Sequence, residues 1–347
     1  MSERRLYLDV GAGETRGVVS LEGRPERLLI ARDGDLAVQA LGARAVARVG
    51  RIERAAGLAF LDLGEGPDAI LNLTPQIGRL TEGAAIEVEI RAEARGDKGA
   101  SARFIGAGEG PPRLLAAAPS VEERLRAFDR DGEVRGGAVA RSMADGAQDE
   151  ALRTIFSLPG GGSLAVEPTR ALVAVDVDLG ERPGAEARRA ARAANFTALG
   201  VATRVLRLKG LGGLVGIDLI GRGHAGPALI AAARAAFGPD NPGVAFGPIG
   251  RFGTLEMTLP RRAGPAVDIL TDESGEPTVL TRALAAIRAL EREATADGGG
   301  RFEAVAAPEV AAAAAPALAI LPARLGARLT LRGEEGQERG DFEVSRL

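Results

Sequence analysis

The sequence predicts a mixed α/β fold of the α+β multidomain kind, and three observations lead to this prediction. At 347 residues the chain is long enough for two or more domains with separate cores. Residues after Asp33 form short apolar runs at regular spacing between glycine-rich turns, which is typical of a small all-β unit. Further on, two buried strands are separated by a helical crossover, which is typical of an α/β domain.

Composition excludes several classes of site. The chain has no cysteine, which excludes disulfides and cysteine-ligated zinc or iron–sulfur sites, and its single histidine, His224, excludes a histidine-cluster metal site. The net charge of −3 gives no overall attraction to nucleic acid, so any such binding must use local basic patches. The sequence shows no membrane-spanning apolar run and no signal-peptide pattern. We therefore expect a soluble cytoplasmic protein with no membrane partner.

The first residues predict a β-hairpin. Leu6–Val10 and Gly17–Leu21 have the composition of paired strands, and Arg27–Ala31 is a third strand. The connection Gly11-Ala12-Gly13 is superficially similar to a phosphate-binding loop. However, no helix and no suitably spaced acidic residue follow it, so we expect an ordinary hairpin turn.

The next segment predicts a closed barrel. Several short strands with glycine turns are typical of such a barrel, for which an OB fold is the usual small solution. Phe60 on the barrel, with Arg95 and Lys98 beyond it, supplies a ring for base stacking and cations for phosphate. Alternatively, Phe60 is part of the barrel core. The predicted strands are Ala45–Val49, Leu58–Leu63, Ala69–Leu73 and Ala85–Ile90.

After the barrel, residues 106–113 predict a linker, and the chain then becomes helical in part. The patterns predict helices over Val121–Phe128, Gln148–Phe156, Gly184–Leu208, Ala225–Phe237, Thr278–Ala296 and Pro308–Leu325.

Aspartates follow two strands of the central segment. Ala171–Val177 runs into Asp176 and Asp178, and Leu214–Ile217 runs into Asp218. Carboxyl ends of strands joined by a crossover meet at one edge of a sheet, where ligand sites gather. Aspartates there suit a hard cation such as Mg²⁺, which could activate water for attack on a phosphodiester. Alternatively, the three are solvated acids at strand ends.

Basic residues between these strands have two interpretations. They could hold a phosphate backbone, or they could form the solvated face of a helix. His224 follows Asp218 closely enough to share its surface, although a single histidine in a glycine-rich loop is more often incidental. The basic residues are Arg182, Arg188, Arg189, Arg192, Arg204, Arg207 and Lys209.

Ordered blocks of the chain are similar to the ribonuclease E/G family of bacterial endoribonucleases. PGGGSLAVEPTRALVAVDVD resembles the strand pair leading into the family's first metal-binding aspartate, here Asp176. ATRVLRLKGLGGLVGIDLI resembles the block that ends in the second, Asp218, and RFGTLEM, beginning at Arg251, matches a third. VGRIERAAGLAFLDLGEG and EARGDKGA resemble the family's RNA-binding module.

This resemblance implies a Mg²⁺-dependent endoribonuclease, with Mn²⁺ as an alternative metal, that acts on single-stranded RNA. Asp176 and Asp218 would hold the metal and Asp178 would support them. For RNA contact, the resemblance implies Phe60, Arg95, Lys98 and Arg251.

The resemblance also implies four parts. Residues 1–35 with 104–158 would be an RNase H-like remnant, 36–103 an OB-fold domain, 159–265 a DNase I-like catalytic domain, and 266–347 a small α/β subdomain.

Several departures from the family pattern leave the alternatives open. The chain lacks the sensor for RNA 5′-monophosphate ends and the cysteines of the zinc link, so no zinc is expected and any homodimer would not depend on it. Asp178 replaces an asparagine, and Ile70 replaces an exposed aromatic residue of the barrel. A catalytically weak or inactive RNA-binding protein of the same fold is the alternative, and a structural or assembly protein is a third interpretation.

Overall fold

The computed structural model describes residues 3–95, 98–180, 185–221, 226–238, 243–338 and 340–347. Within these residues the protein contains seven α-helices and four β-sheets. The fold is therefore a mixture of α and β structure of the α+β kind, as the sequence predicts.

The chain begins with an antiparallel meander of three strands, β1 (Arg4–Val10), β2 (Glu14–Leu21) and β3 (Arg24–Arg32). The alternation of apolar residues directs Leu6 and Val19 into a small core. Gly11-Ala12-Gly13 between β1 and β2 forms the predicted hairpin turn.

The next six strands form a single sheet that closes on itself. Its order is β5-β6-β8-β7-β4-β9, and an additional pairing of β4 with β5 joins its two sides into a barrel. The predicted linker lies within this sheet, because β9 follows it and pairs with β4. The predicted domain end at residue 103 likewise falls inside β8. The strands are β4 (Arg44–Glu53), β5 (Leu58–Asp62), β6 (Ala69–Asn72), β7 (Ala85–Ala92), β8 (Ser101–Ala107) and β9 (Arg113–Ala116).

Two helices and a short strand then return the chain to the first sheet. Helix α1 is Val121–Arg126, β10 (Val134–Arg135) pairs in parallel with β1, and α2 is Gly137–Leu152. The predicted helix over Gln148–Phe156 is wrong in its bounds, because α2 starts earlier and ends at Leu152. The face that α2 buries consists of alanines, which carry a weak apolar signal.

The central unit is a six-stranded sheet of order β11-β12-β13-β14-β16-β15, in which β13 and β14 are parallel and the other pairs are antiparallel. Two helices, α3 and α4, pack with this sheet around one apolar core. The elements are β11 (Ile155–Ser157), β12 (Ser163–Pro168), β13 (Val173–Asp178), α3 (Ala185–Leu208), β14 (Gly213–Asp218), α4 (Gly226–Phe237), β15 (Ala245–Ile249) and β16 (Thr254–Leu259).

The C-terminal unit packs helices on a three-stranded sheet of order β18-β17-β19, with β17 parallel to β18 and antiparallel to β19. Its elements are α5 (Ala266–Leu270), α6 (Val279–Ala296), β17 (Phe302–Ala306), α7 (Pro308–Leu325), β18 (Leu329–Gly333) and β19 (Phe342–Arg346).

Helix α7 corrects one expectation about apolar runs. Its 18 residues have a mean hydropathy of 1.2, so by length and composition it could cross a membrane. In this fold one side of the helix, at Val310, Ala314 and Leu321, is buried in an apolar cluster with α6. Core helices of soluble proteins pass the same test of length and composition.

A buried charge cluster joins the first hairpin to the C-terminal unit. Its five buried members are Asp9, Glu14, Arg16, Arg288 and Glu291. Glu14 accepts from Arg288 at 2.7 Å, and Arg16 donates to Asp9 at 2.6 Å. Buried charges of this kind are tolerated only when they are paired and hydrogen-bonded. The cluster therefore fixes α6 against the N-terminal strands.

Candidate active site

The two aspartates predicted to bind metal lie side by side on neighbouring parallel strands. Asp176 on β13 is the register partner of Asp218 on β14. Neighbouring strands lie about 4.8 Å apart, and residues paired in this way direct their side chains to the same face. The structure thus brings together two acids that are 42 positions apart in the sequence.

Local sequence explains why this face carries the acids. Val175, Val177 and Ile217 alternate with the aspartates and are buried in the core with α3 and α4. The period of two along a strand then leaves Asp176 and Asp218 on the opposite face, where both are exposed. The helices therefore cover one face of the sheet and leave the acids open to solvent.

Asp178 lies on the same face, two residues beyond Asp176. Its register partner is Ser163 on β12, so it is outside the row that contains Asp176 and Asp218. One of its oxygens, Oδ1, accepts a hydrogen bond from the backbone N–H of Gly180 at 2.8 Å. This bond ties Asp178 to the turn that follows β13.

Asp176 and Asp218 have no hydrogen-bond or ion-pair partner among the residues that the structure describes. Two adjacent carboxylates without a cation repel each other, and a bound cation would relieve this repulsion. No group of three or more candidate metal ligands occurs in the described residues. Mg²⁺ needs fewer, because it commonly takes one or two carboxylates and keeps several waters. The pair therefore fits a magnesium ion by its donor type and number.

Sequence reasoning missed two polar neighbours on β16. Thr254 is the register partner of Asp218, and Glu256 is the partner of Gly216. Glu256 is exposed, whereas Leu255 and Met257 on either side of it are buried. The same alternation that placed the aspartates could have placed both residues. They extend the polar face of the sheet beyond the acid pair.

The turn between β15 and β16 flanks the acid pair. The N–H of Gly253 donates to the carbonyl of Gly250, and the carbonyl of Gly253 accepts from Leu219, the residue after Asp218. Arg251, predicted to contact RNA, is exposed on this turn, and its guanidinium lies 4.6 Å from the ring centroid of Phe252. The structure therefore places the turn that carries Arg251 next to Leu219, the residue after Asp218.

On the barrel, Phe60 lies outside the core. Its neighbours Ala59 and Leu61 are buried, whereas Phe60 is half-buried and pairs with Ile70 on β6. The guanidinium of Arg51 lies 4.6 Å from the centroid of its ring. The interpretation of Phe60 as barrel core is therefore wrong, and the ring is partly accessible on the barrel's outer surface.

The two cations at the barrel exit differ in their surroundings. Arg95 donates to Asp268 on α5 at 2.9 Å, whereas Lys98 is exposed. The intervening Gly96 and Asp97 lie outside the described residues. Both cations border a cavity of about 340 Å³ between the barrel and the loop after β16, to which Arg261 and Arg262 contribute. The barrel exit and the central unit thus share a basic groove.

Three of the basic residues between β13 and β14 neither face solvent nor are free to hold a phosphate. They fix α3, and Lys209 just after it, to the N-terminal units. Arg189 and Arg192 are exposed, and the side chains of Arg182 and Arg188, like His224, lie outside the described residues. The three fixed pairs are Arg204 with Glu150 at 2.6 Å, Arg207 with Glu26 at 2.6 Å, and Lys209 with the carbonyl of Ala151 at 2.7 Å.

Lys209 leads to a prediction about pH. Burial lowers the pKa of Lys209 from 10.5 to about 8. Between these two values the unfolded chain binds more protons than the folded one, so stability from this group rises with pH in that window. We expect the unfolding free energy of the wild type to rise from pH 8 to 10.5, relative to Lys209→Met, by on the order of 2–3 kcal/mol. Urea denaturation of both proteins across this window measures the difference.

Because Lys209→Met also removes the hydrogen bond to Ala151, the two proteins are compared by pH dependence and not by absolute stability. Identical pH dependence in wild type and variant would contradict the lowered pKa.

Residues 117–262 match the Ribonuclease E/G family. This segment belongs to the ribonuclease E/G family. It includes the acid pair, Asp178 and Arg251, whereas Phe60, Arg95 and Lys98 precede it in the chain.

Curated relatives agree with this ribonuclease E/G assignment. Ribonuclease E of Buchnera aphidicola subsp. Schizaphis graminum is 34% identical over 116 residues, which are 33% of this chain and 12% of the relative. Ribonuclease E of Buchnera aphidicola subsp. Acyrthosiphon pisum is 30% identical over 164 residues, or 44% of this chain and 18% of the relative. The matched part of this chain thus spans less than a fifth of the length of either relative.

Proposed function

We propose that this protein is an endoribonuclease that uses a divalent metal ion to cleave single-stranded RNA. The observation that carries the proposal is the register pairing of Asp176 with Asp218 on an exposed sheet face. Two carboxylates in one row are suited to bind a metal ion, since no basic side chain among the residues that the structure describes pairs with them. The family of residues 117–262 supports RNA as the substrate.

Asp176 and Asp218 would hold Mg²⁺, or alternatively Mn²⁺. When bound, the ion would supply an activated water and stabilise negative charge on the phosphate. Asp178 would support the pair from the neighbouring turn, where Gly180 orients its carboxylate. The absence of cysteine leaves no thiolate ligands for zinc.

The RNA strand would be held by exposed rings and cations on the barrel and on the turn that flanks the acid pair. Phe60 offers a partly accessible ring, Lys98 an exposed ammonium group, and Arg251 an exposed guanidinium on the turn that flanks the acid pair. Arg95 would have to exchange its ion pair with Asp268 for a phosphate. Stacking with positive charge is the usual way to bind a single strand without sequence preference.

We also propose a fold type for each of three units. The closed barrel of β4–β8 would be an OB fold, with β9 paired to β4 beside it. The first sheet with α1 and α2 would be the RNase H-like remnant, and the six-stranded sheet with α3 and α4 the DNase I-like catalytic domain.

A metal titration tests the proposed activity. A single-stranded RNA labelled at one end is incubated with the protein in EDTA and in increasing Mg²⁺ or Mn²⁺. We expect internal cleavage that requires the metal, because the acid pair has no other described cation to complete the site. Substrates with 5′-monophosphate and 5′-hydroxyl ends are run in parallel, and we expect similar cleavage of both because the chain lacks the family's sensor.

The outcomes separate the three interpretations of the sequence. Metal-dependent cleavage supports the endoribonuclease. RNA binding without cleavage in either metal would instead support the catalytically inactive RNA-binding protein, and neither binding nor cleavage would support a structural role.

A further inference from the structure

Phe252 is exposed to a degree that its chemistry does not favour. Its side chain is 79% exposed, more than any other large apolar side chain in the described part of the chain. The protein has ten phenylalanines, and the other nine are buried or half-buried. Burying a phenylalanine is worth about 1.5–3 kcal/mol, so folding alone gives no reason to leave this one in water.

The position of this ring is fixed relative to the acid pair. Phe252 is two residues before Thr254, the register partner of Asp218. Two residues span at most about 7 Å, and the neighbouring strand adds about 4.8 Å. The Cα of Phe252 therefore lies within about 12 Å of the Cα of Asp218.

The turn that carries the ring is well defined. The N–H of Gly250 donates to the carbonyl of Thr254 at 2.9 Å, and the N–H of Gly253 donates to Gly250 at 3.0 Å. Gly253 has a φ of +95°, which a residue with a side chain rarely adopts. Hydrogen bonds on both sides of Phe252 thus hold its backbone in place, so its ring is presented from a fixed position.

The neighbouring Arg251 places a positive charge against this ring. Its guanidinium lies 4.6 Å from the ring centroid, at the distance of a cation–π contact. An aromatic face with an adjacent arginine provides both a stacking surface for a base and a donor for phosphate. Nucleobases stack on aromatic rings irrespective of sequence, because every base has a π-face.

We propose that Phe252 is a stacking platform for one base of the RNA next to the phosphate that is cleaved. This inference rests on the proposed nuclease function, and it assigns Phe252 a positioning role in that reaction. The ring would fix one nucleotide while Arg251 holds a phosphate beside it. The strand would thereby be aligned over Asp176 and Asp218.

Binding of a labelled single-stranded RNA, measured by fluorescence anisotropy in EDTA, tests the stacking directly. We expect Phe252→Ala to weaken binding by about 5- to 150-fold, because one base–aromatic stack is worth about 1–3 kcal/mol. Phe252→Trp should retain the affinity. Ile320→Ala on α7, another exposed apolar position, is the matched control and should bind as the wild type does.

A substrate without one base identifies the partner of the ring. Single-turnover cleavage in Mg²⁺ is measured on RNAs that carry an abasic nucleotide at successive positions around the cleavage site. In the wild type, an abasic nucleotide at one position should lower the cleavage rate by about the same factor as Phe252→Ala lowers it on the intact RNA. In Phe252→Ala, the abasic nucleotide at that position should lower the rate no further, because both changes remove the same stack.

Two results would overturn this inference. One is that Phe252→Ala binds and cleaves RNA as the wild type does. The other is that the effects of Phe252→Ala and of an abasic nucleotide on the cleavage rate are fully additive at every position, as expected if the ring contacts a protein partner. Failure of the nuclease proposal would be distinct, since the wild type itself would then cut no RNA in any metal. A failed stacking proposal leaves wild-type cleavage intact.

Discussion

Asp176→Asn and Asp218→Asn are each expected to reduce RNA cleavage by about 10³-fold or more, because each removes one of the two charges that would hold the metal. Asparagine has nearly the same size as aspartate, and both positions are exposed on the sheet, so the fold should be unaffected. RNA binding in EDTA should stay within about threefold of the wild type, because the proposed RNA contacts are elsewhere. Single-turnover cleavage and anisotropy measure the two effects separately.

Glu167→Gln provides the matched control for these variants. Glu167 is an exposed acid at the end of β12 whose register partner is Ala174, so it lies on the same sheet but outside the acid pair. Its cleavage rate should stay within about twofold of the wild type, since Glu167 is not one of the two carboxylates that would hold the metal. Calorimetric titration with Mn²⁺ gives a readout independent of activity. Undiminished Mn²⁺ binding and cleavage by Asp218→Asn would disprove the proposed role of the pair.

The acid pair could be anticipated from sequence because it depends on two local patterns. Apolar alternation gives the strands and the face of each side chain, and the position of Asp176 and Asp218 near the strand ends follows. The pairing of these two strands rests on a helical crossover, which favours parallel neighbours. The register of Asp176 with Asp218 is set by packing in the core and required the structure.

Other features were beyond local patterns. Helix α2 buries only alanines, whose periodicity is weak, and β9 and β19 are short strands with no buried residue. The ion pair between Arg95 and Asp268 joins residues 173 positions apart, which no local pattern encodes. Phe252 lies in the block RFGTLEM, but the sequence does not indicate whether its ring is exposed or buried. The structure shows that it is exposed.

The buried charge cluster gives the second large expected effect. Arg16 is 1% exposed and pairs with Asp9 at 2.6 Å and with Asp145 at 2.8 Å. Burial lowers the pKa of Arg16, but its hydrogen bonds to Asp9 and Asp145 raise the pKa by more, so the guanidinium stays charged. We expect Arg16→Met to lower the unfolding free energy by about 3–5 kcal/mol. The carboxylate of Asp9 would stay buried with Arg141, at 3.5 Å, as its remaining ion-pair partner among the described residues. Urea denaturation at pH 7 measures this loss.

Arg126→Met is the control, since Arg126 forms an exposed pair with Glu122 on α1 and should change stability by less than about 1 kcal/mol. A loss below about 1 kcal/mol for Arg16→Met would contradict the proposed importance of the cluster. The double variant with Asp9→Asn should be more stable than Arg16→Met alone, because it removes the buried charge left without its partner. That recovery would separate an electrostatic cause from lost packing, since the second substitution restores no volume to the cavity at Arg16.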